Sequence, residues 1–389
     1  MGDIHFAALP PLTLYIHIPW CVKKCPYCDF NSHQKKTALP EDAYISALLE
    51  DLETEIPGIW GRTIESIFIG GGTPSLFSAQ AIDRLLAGIR ARVPLKPGLE
   101  ITLEANPGTV EETCFAEFRQ AGVNRLSLGI QSFQDKKLSA LGRIHTSVGA
   151  QQAIQIAQNA GFDNLNLDLM YGLPGQTVDD ALADLQQALA YTPGHLSWYQ
   201  LTLEPNTLFY QQPPKLPGSE LIWNIQQAGQ QLLQTANFKQ YEVSAYCRHR
   251  QQCHHNVNYW EFGDYVGIGA GAHGKISDAA SQSVKRTTRL RHPDQYLAGH
   301  DGTRVSAEHH LSSRDLVFEY ALNRLRLLAP FTYADFTAAT GLDASRLETG
   351  ITQAVEKGFL VVNAHNQLIQ LTHHGRLFLD DLVADFLAD

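Results

Sequence analysis

The chain has 389 residues, 44% of them hydrophobic and 18% charged, which suits an ordinary globular protein with room for one large core and a smaller second domain and excludes extensive disorder. Its formal net charge of −10 repels phosphate backbones and anionic headgroups, so nucleic acid is not an expected partner. No uncharged apolar run approaches the ~18 residues that span a bilayer, and the opening MGDIHFAALPPL has no basic stretch leading into an apolar one, so a cytoplasmic protein without direct membrane insertion is expected.

From residue 12 onward, short aliphatic runs alternate with helical-looking stretches, the pattern of strand and helix units around a parallel sheet. Strands are predicted over residues 12–18, 66–69, 100–105, 125–130, 164–170 and 196–203. Between them, stretches such as 42–56, 79–92 and 179–191 repeat apolar residues at three- and four-residue spacing, as amphipathic helices do. Six such units predict an α/β fold, a partial (β/α)6 TIM-like barrel.

Past Pro205 the chain is punctuated by Pro and Gly over residues 212–218, then reads as a helix over 220–236 and as strands over 241–246 and 265–268. Residues 275–310 are rich in Ser, Thr, Arg and His with weak periodicity, which places the expected domain boundary near residue 305: a barrel with accessory strands over 1–305 and a small module over 306–389. The module reads as helices with a strand pair over 360–363 and 368–371, an order like that of a winged helix. From Leu311 onward it has six Lys or Arg against ten Asp or Glu, the wrong surface for phosphates, so protein contact or closure over a substrate is the expected role.

Three of the six cysteines crowd into CVKKCPYCDF, while Cys114, Cys247 and Cys253 are scattered. A disulfide framework spreads its cysteines, so this clustering points to a metal or cluster. The segment follows the first strand directly and so lies at its carboxyl end, where barrels of this kind carry their chemistry. Cys21, Cys25 and Cys28 can converge on a [4Fe-4S] cube, and three thiolates for four irons leave one iron open to an outside ligand. The amino and carboxylate groups of S-adenosylmethionine can chelate that iron, which sets up one-electron chemistry at its sulfonium. A zinc site completed by His17 or His33, or three structural thiols, are the alternatives.

The other strands should then end in residues facing the same space. The second ends in Gly70, Gly71, Gly72, Thr73 and Pro74, whose bare backbone admits close approach. The third ends at Glu104 and Asn106, the fourth at Gln131, the fifth at Asp168, and the sixth at Thr202 and Glu204. Arg143 can offer a planar guanidinium to a ligand carboxylate.

The runs LYIHIPWCVKKCPYCDF, IFIGGGTPSL, LEANPGT, LGIQSF, LGRIH and NLDLMYGLPGQT together resemble the anaerobic coproporphyrinogen oxidase family of radical SAM proteins over residues 12 to about 375, and within it most nearly the branch of haem chaperones. The resemblance implies a barrel of the radical SAM type with Cys21, Cys25 and Cys28 on the cluster. It also implies that Tyr15, Tyr27, Gly71, Gly72, Thr73, Glu104, Gln131, Arg143 and Asp168 surround S-adenosylmethionine, with Thr202 and His273 at looser positions. Two departures separate the chain from the oxidases: Phe30 stands where they carry a further cysteine, and only thirteen residues precede Leu14. Coproporphyrinogen oxidase activity is therefore not expected.

The segment HHNVNYW, residues 254–260, is similar to a His-Asn-x-x-Tyr signature that this branch links to haem. His255 can give an imidazole nitrogen to haem iron, Tyr259 and Trp260 can offer flat faces, and Asn256 can orient the ligand; the alternative is a loop packed on its aromatics with an ordinary exposed histidine. The resemblance implies a haem carrier that passes haem to acceptor proteins, membrane respiratory enzymes among them, reaching the inner membrane only through such a partner and able to form a homodimer. The other reading is an enzyme using radical chemistry on a tetrapyrrole, by oxidative decarboxylation or by methyl transfer with ring opening.

Overall fold

The computed structural model describes residues 3–108, 112–248, 250–300, 302–363 and 365–387; Thr109, the last residue of LEANPGT, lies outside them. The main sheet is built from β1 (Leu12–Ile18), β4 (Ile64–Gly71), β5 (Leu95–Ala105), β6 (Arg125–Gln131), β7 (Leu165–Tyr171) and β8 (His195–Gln200), each parallel to the next. Two short strands, β2 (Trp20–Cys21) and β3 (His33–Gln34), stand apart from it at the end of β1. The α/β half-barrel of six units is thus present. Its outward side is aliphatic because helices cover it: in the helix Ala79–Arg90, capped by Ser78, the residues Ile82, Leu85, Leu86 and Ile89 are buried.

The sheet runs further than six strands. On one side come β9 (Lys239–Glu242) and β10 (Ala245–Cys247), a hairpin whose inner strand runs antiparallel to β8; the sequence had suggested one strand here, but the chain reverses at Val243 and Ser244. On the other side β11 (Asp264–Ile268) lies parallel to β1, followed by the antiparallel β12 (His273–Asp278), β13 (Ser283–Arg289) and β14 (Val305–His310).

The weak periodicity of residues 275–310 therefore conceals three strands. In β12 and β13 buried positions are filled by polar side chains, Lys275 paired with Asp264 at 3.0 Å and Arg289 with Asp51 at 2.9 Å, and β14 is mostly exposed. A pattern search keyed to aliphatics passes over such strands. The sixth strand is also shorter than expected, ending at Gln200, so Thr202 and Glu204 lie beyond it.

A second hydrophobic core includes Leu311, Leu316, Tyr320, Phe336, Ile351 and Leu371, joined by Phe6 from the N-terminal segment and by Phe262 and Val284. Its helices Ser313–Arg324, Tyr333–Thr340 and Ser345–Glu356 precede the hairpin of β15 (Leu360–Val362) and β16 (Ile369–Leu371).

Candidate functional site

Pairing of β2 with β3 closes residues 21–34 into a loop at the carboxyl end of β1. The loop is fixed at its base, where the N–H of Gly72 donates to Ile18 O and that of Thr73 to Trp20 O, both at 2.8 Å. The glycine run after β4 permits this approach. A Cβ on Gly72 would stand 2.6 Å from Trp20 O, and one on Gly71, at φ +119°, 2.7 Å from the His17 ring. Gly72 is thus required by the packing of the loop's base and Gly71 by the His17 ring of β1, and their backbone also lines the pocket above.

That pocket is bordered by all three cysteines together with Tyr27, Gly71, Gly72, Thr73, Glu104, Gln131, Arg143 and Asp168. Phe30, more than half exposed at 61%, stands on its wall. Among the described residues no three Cys, His, Asp or Glu side chains are gathered as for a single metal ion; the three thiols share the lining of one pocket. His17 and His33, the nitrogen donors of a zinc reading, face other partners: His17 lies between the Tyr15 hydroxyl and Asn31 O, and His33 against the His292 ring. Three thiols around one pocket fit a four-iron cluster with one open iron.

Each sulfur has a donor beside it: Thr73 Oγ1 is 3.6 Å from Cys21, Arg143 Nη1 3.6 Å from Cys25, and Ser32 Oγ 3.9 Å from Cys28. Such donors favour thiolate and tune the potential of a cluster. They are needed, because burial pushes the Cys21 and Cys28 thiols up. The donors are themselves linked. Arg143 Nη2 donates to Asn106 Oδ1 at 2.5 Å, and Asn106 Nδ2 donates to Thr73 Oγ1 at 2.9 Å, so one hydrogen-bonded line joins Cys25 to Cys21 across the pocket. Arg143 also donates to Gly129 O at 2.8 Å, while its buried Nε has no partner; its fork is occupied by the protein, with one donor in reserve for a carboxylate.

Opposite the sulfurs lie two buried carboxyl groups. Burial, with the Asp168 charge adding, pushes Glu104 up to about 8, although the Gly71 N–H donates to it at 3.1 Å. Burial also raises Asp168, against hydrogen bonds from Asn166 at 2.8 Å and Ser127 at 2.9 Å. Such a pair calls for a cationic or multiply donating ligand. Gln131 sits at φ +68° where β6 slips register against β7, a local strain that aims its side chain into the pocket. Ser127 and Gly129 also line the pocket; alternation along β6 from Arg125 to Gln131 is the signal that could have found them.

Other expected residues lie elsewhere. Tyr15 is not on the pocket wall; its ring lies between Phe68 and His255 at 6.3 and 6.1 Å. Thr202 is exposed beyond β8, and His273 is exposed on β12. The segment His254–Trp260 is a helix rather than a loop, and His255 is buried, not exposed.

This helix closes the opposite end of the barrel: the His254 N–H donates to Glu100 Oε1 at 2.9 Å, and Asn258 Nδ2 to Thr13 Oγ1 at 3.3 Å. Burial, helped by the Arg125 charge, pulls the His255 imidazole down to about 3, and its Nδ1 has no partner. Asn256 and Tyr259 are half-buried on the same helix. Between the two ends runs a polar line. Asn166 Nδ2 donates to Asp168, His195 Nδ1 lies 2.6 Å from Asn166 Oδ1, His195 Nε2 lies 2.8 Å from the Tyr241 hydroxyl, and that hydroxyl accepts from the Cys253 N–H at 3.3 Å.

The family model described as the Radical SAM superfamily matches residues 15–188, and that of the HemN C-terminal domain matches residues 311–378. The heme chaperone HemW of Escherichia coli is 49% identical over 98% of this chain and 99% of its own length. The mitochondrial radical S-adenosyl methionine domain-containing protein 1 of Bos taurus is 34% identical over 97% of this chain and 87% of its own. Among solved structures, the coproporphyrinogen III oxidase HemN of E. coli superimposes with a TM-score of 0.81 at 23% identity, covering 97% of this chain and 90% of that one; this likeness is one of fold.

Proposed function

The chain belongs to the HemW family within the radical SAM superfamily, and from that premise we propose that it is a haem chaperone, which binds haem and hands it to haem-requiring proteins. Near-complete alignment with a heme chaperone at 49% identity is the observation that carries the reading. Cys21, Cys25 and Cys28 hold a [4Fe-4S] cluster, and S-adenosylmethionine binds beside it; together these supply one-electron chemistry when present.

The chain's own residues do the holding. Thr73, Arg143 and Ser32 donate toward the sulfurs, Glu104 and Asp168 receive the donors of the ligand, and Gln131 and Tyr27 complete the wall. Tyr15, Thr202 and His273 stand outside this wall and act on the ligand only if the rim closes further. His255, Asn256 and Tyr259 form the haem-binding set, and because His255 is buried the helix His254–Trp260 must shift for its imidazole to reach iron.

The acceptors are haem proteins, membrane respiratory enzymes among them. Among the described residues no helix is long and apolar enough to cross a membrane, which fits a cytoplasmic carrier that meets the inner membrane only through its acceptor. Two copies pairing during transfer is part of the same proposal.

The test is transfer itself: haem and a haem-free candidate acceptor are added to protein with and without the reconstituted cluster. Stoichiometric haem binding, cluster-dependent delivery and no protoporphyrinogen from coproporphyrinogen III without oxygen are expected. Rapid turnover of that substrate overturns the carrier reading. Equal binding to bare anionic vesicles and to acceptor-containing membranes overturns the partner-mediated location.

A further inference from the structure

A hollow wider than the one at the cysteines lies elsewhere in the fold. A cleft of about 1160 Å³ opens at the amino-terminal end of β8, walled by the β9–β10 hairpin on one side and by Leu328 and Arg376 of the C-terminal module on the other. Ligand sites for drug-sized molecules run to ~300–1,000 Å³, so a flat molecule as large as a porphyrin has room here.

Its charge is opposite to that of the whole chain. Lys239, Arg248, Arg250 and Arg376 line the cleft and, among the described residues, no Asp or Glu does, in a protein of net charge −10. None of the four has an ion-pair partner among the described residues, whereas nearby Arg326 is paired with Glu242 at 3.1 Å. Arg248 is placed for a ligand: its backbone N–H donates to Gly194 O at 3.0 Å, its guanidinium lies 5.1 Å from the centre of the Phe238 ring, and its Nε is buried without a partner. Arg250 is held at φ +59°, a strained conformation for a residue with a side chain. Phe238, Tyr246 and Leu328 give the same cleft an apolar wall.

We propose that this cleft seats a porphyrin, its ring against the Phe238 and Tyr246 wall and its carboxylates on Arg248, Arg250 and Lys239. The proposal rests on the haem-chaperone reading and names where the cargo lies. An unpaired guanidinium fork matches a carboxylate, and an apolar wall matches the ring; a ligand with both features uses the whole cleft. The position also fits the helix His254–Trp260. Gln252 and Tyr241 line the cleft, and the Tyr241 hydroxyl accepts from the Cys253 N–H, one residue before that helix begins. His255 is buried, whereas the cleft, which Gln252 lines three residues earlier in the chain, supplies space and countercharge.

The test uses the full chain and metal-free protoporphyrin, whose binding does not depend on an iron ligand, followed by fluorescence. Wild type should bind it, and Arg248→Glu/Arg250→Glu should bind at least about tenfold more weakly. The porphyrin dimethyl ester, which lacks the carboxylates, should bind wild type and the double variant alike. Unchanged circular dichroism and cluster absorbance establish that the double variant is folded; if they are altered, Lys239→Glu is measured in its place, with the same direction of effect expected. Undiminished binding by a folded variant, or an ester that binds wild type as tightly as the acid does, overturns the cleft. Haem binding abolished by His255→Ala with no affinity for the metal-free ring overturns the cleft and leaves the chaperone reading standing. Wild type that binds neither haem nor porphyrin overturns both.

Discussion

The two ends of the barrel solve opposite problems. At the carboxyl end, three part-exposed thiols, two protonatable carboxyls and a guanidinium with a spare donor stand around an accessible pocket. At the amino end, His255 is turned inward from its own helix, 6% exposed, with its imidazole held neutral. The first end is open to a ligand as it stands, whereas the second keeps its imidazole out of a ligand's reach. The difference teaches that a motif recognisable in sequence can be folded with its most reactive side chain turned inward.

The largest effect should come from the thiols. Serine at Cys21, Cys25 and Cys28 should abolish iron–sulfur absorbance after anaerobic reconstitution while haem binding survives; loss of both together would break the distinction between the ends. Next is Arg125, buried between them, 3.9 Å from Glu100. Arg125→Met should lower unfolding free energy by about 3–5 kcal/mol, because a buried carboxylate loses its countercharge, measured by denaturant titration.

Smaller and more informative is the pH response of the protein without cofactors. Glu104 is raised to about 8, so the folded state holds its proton more tightly than the unfolded chain. Its contribution is full below the ordinary carboxyl range and is lost as pH rises toward 8. His255 is lowered to about 3, so its contribution is full above the ordinary imidazole range and is lost as pH falls toward 3. Thermal melts of Glu104→Gln should therefore gain on wild type as pH rises, and those of His255→Leu as it falls. Parallel curves would erase the contrast. The smallest effect belongs to Thr73→Val, which removes one donor from Cys21 and one acceptor from Asn106. It should cost about 1 kcal/mol of stability and lower the cluster potential, read by redox titration, without preventing assembly.

Much of the carboxyl end was legible because its determinants are local or periodic. The cysteine spacing, the glycine run and the inward ends of β4, β5, β6 and β7 each sit at a strand terminus that hydrophobic alternation locates. Less was legible at the other end. HHNVNYW carries no helix cap from a Ser, Thr, Asn or Asp side chain and has no long apolar period, so nothing in it distinguished a loop from the buried helix of the structure.

The sequence by itself determined the half-barrel, the placement of three cysteines in one loop and the family, since these depend on short-range spacing and on order along the chain. Only the tertiary structure decided that Gly72 makes way for the loop, that Arg143 and Asn106 tie Cys25 to Cys21, that Lys275 and Arg289 lie inside strands, and that His255 faces inward. Each of those facts is a meeting of groups far apart in the chain, shaped by close packing and by the cost of burying a charge or donor without a partner. Residue order alone does not state which partners come within reach.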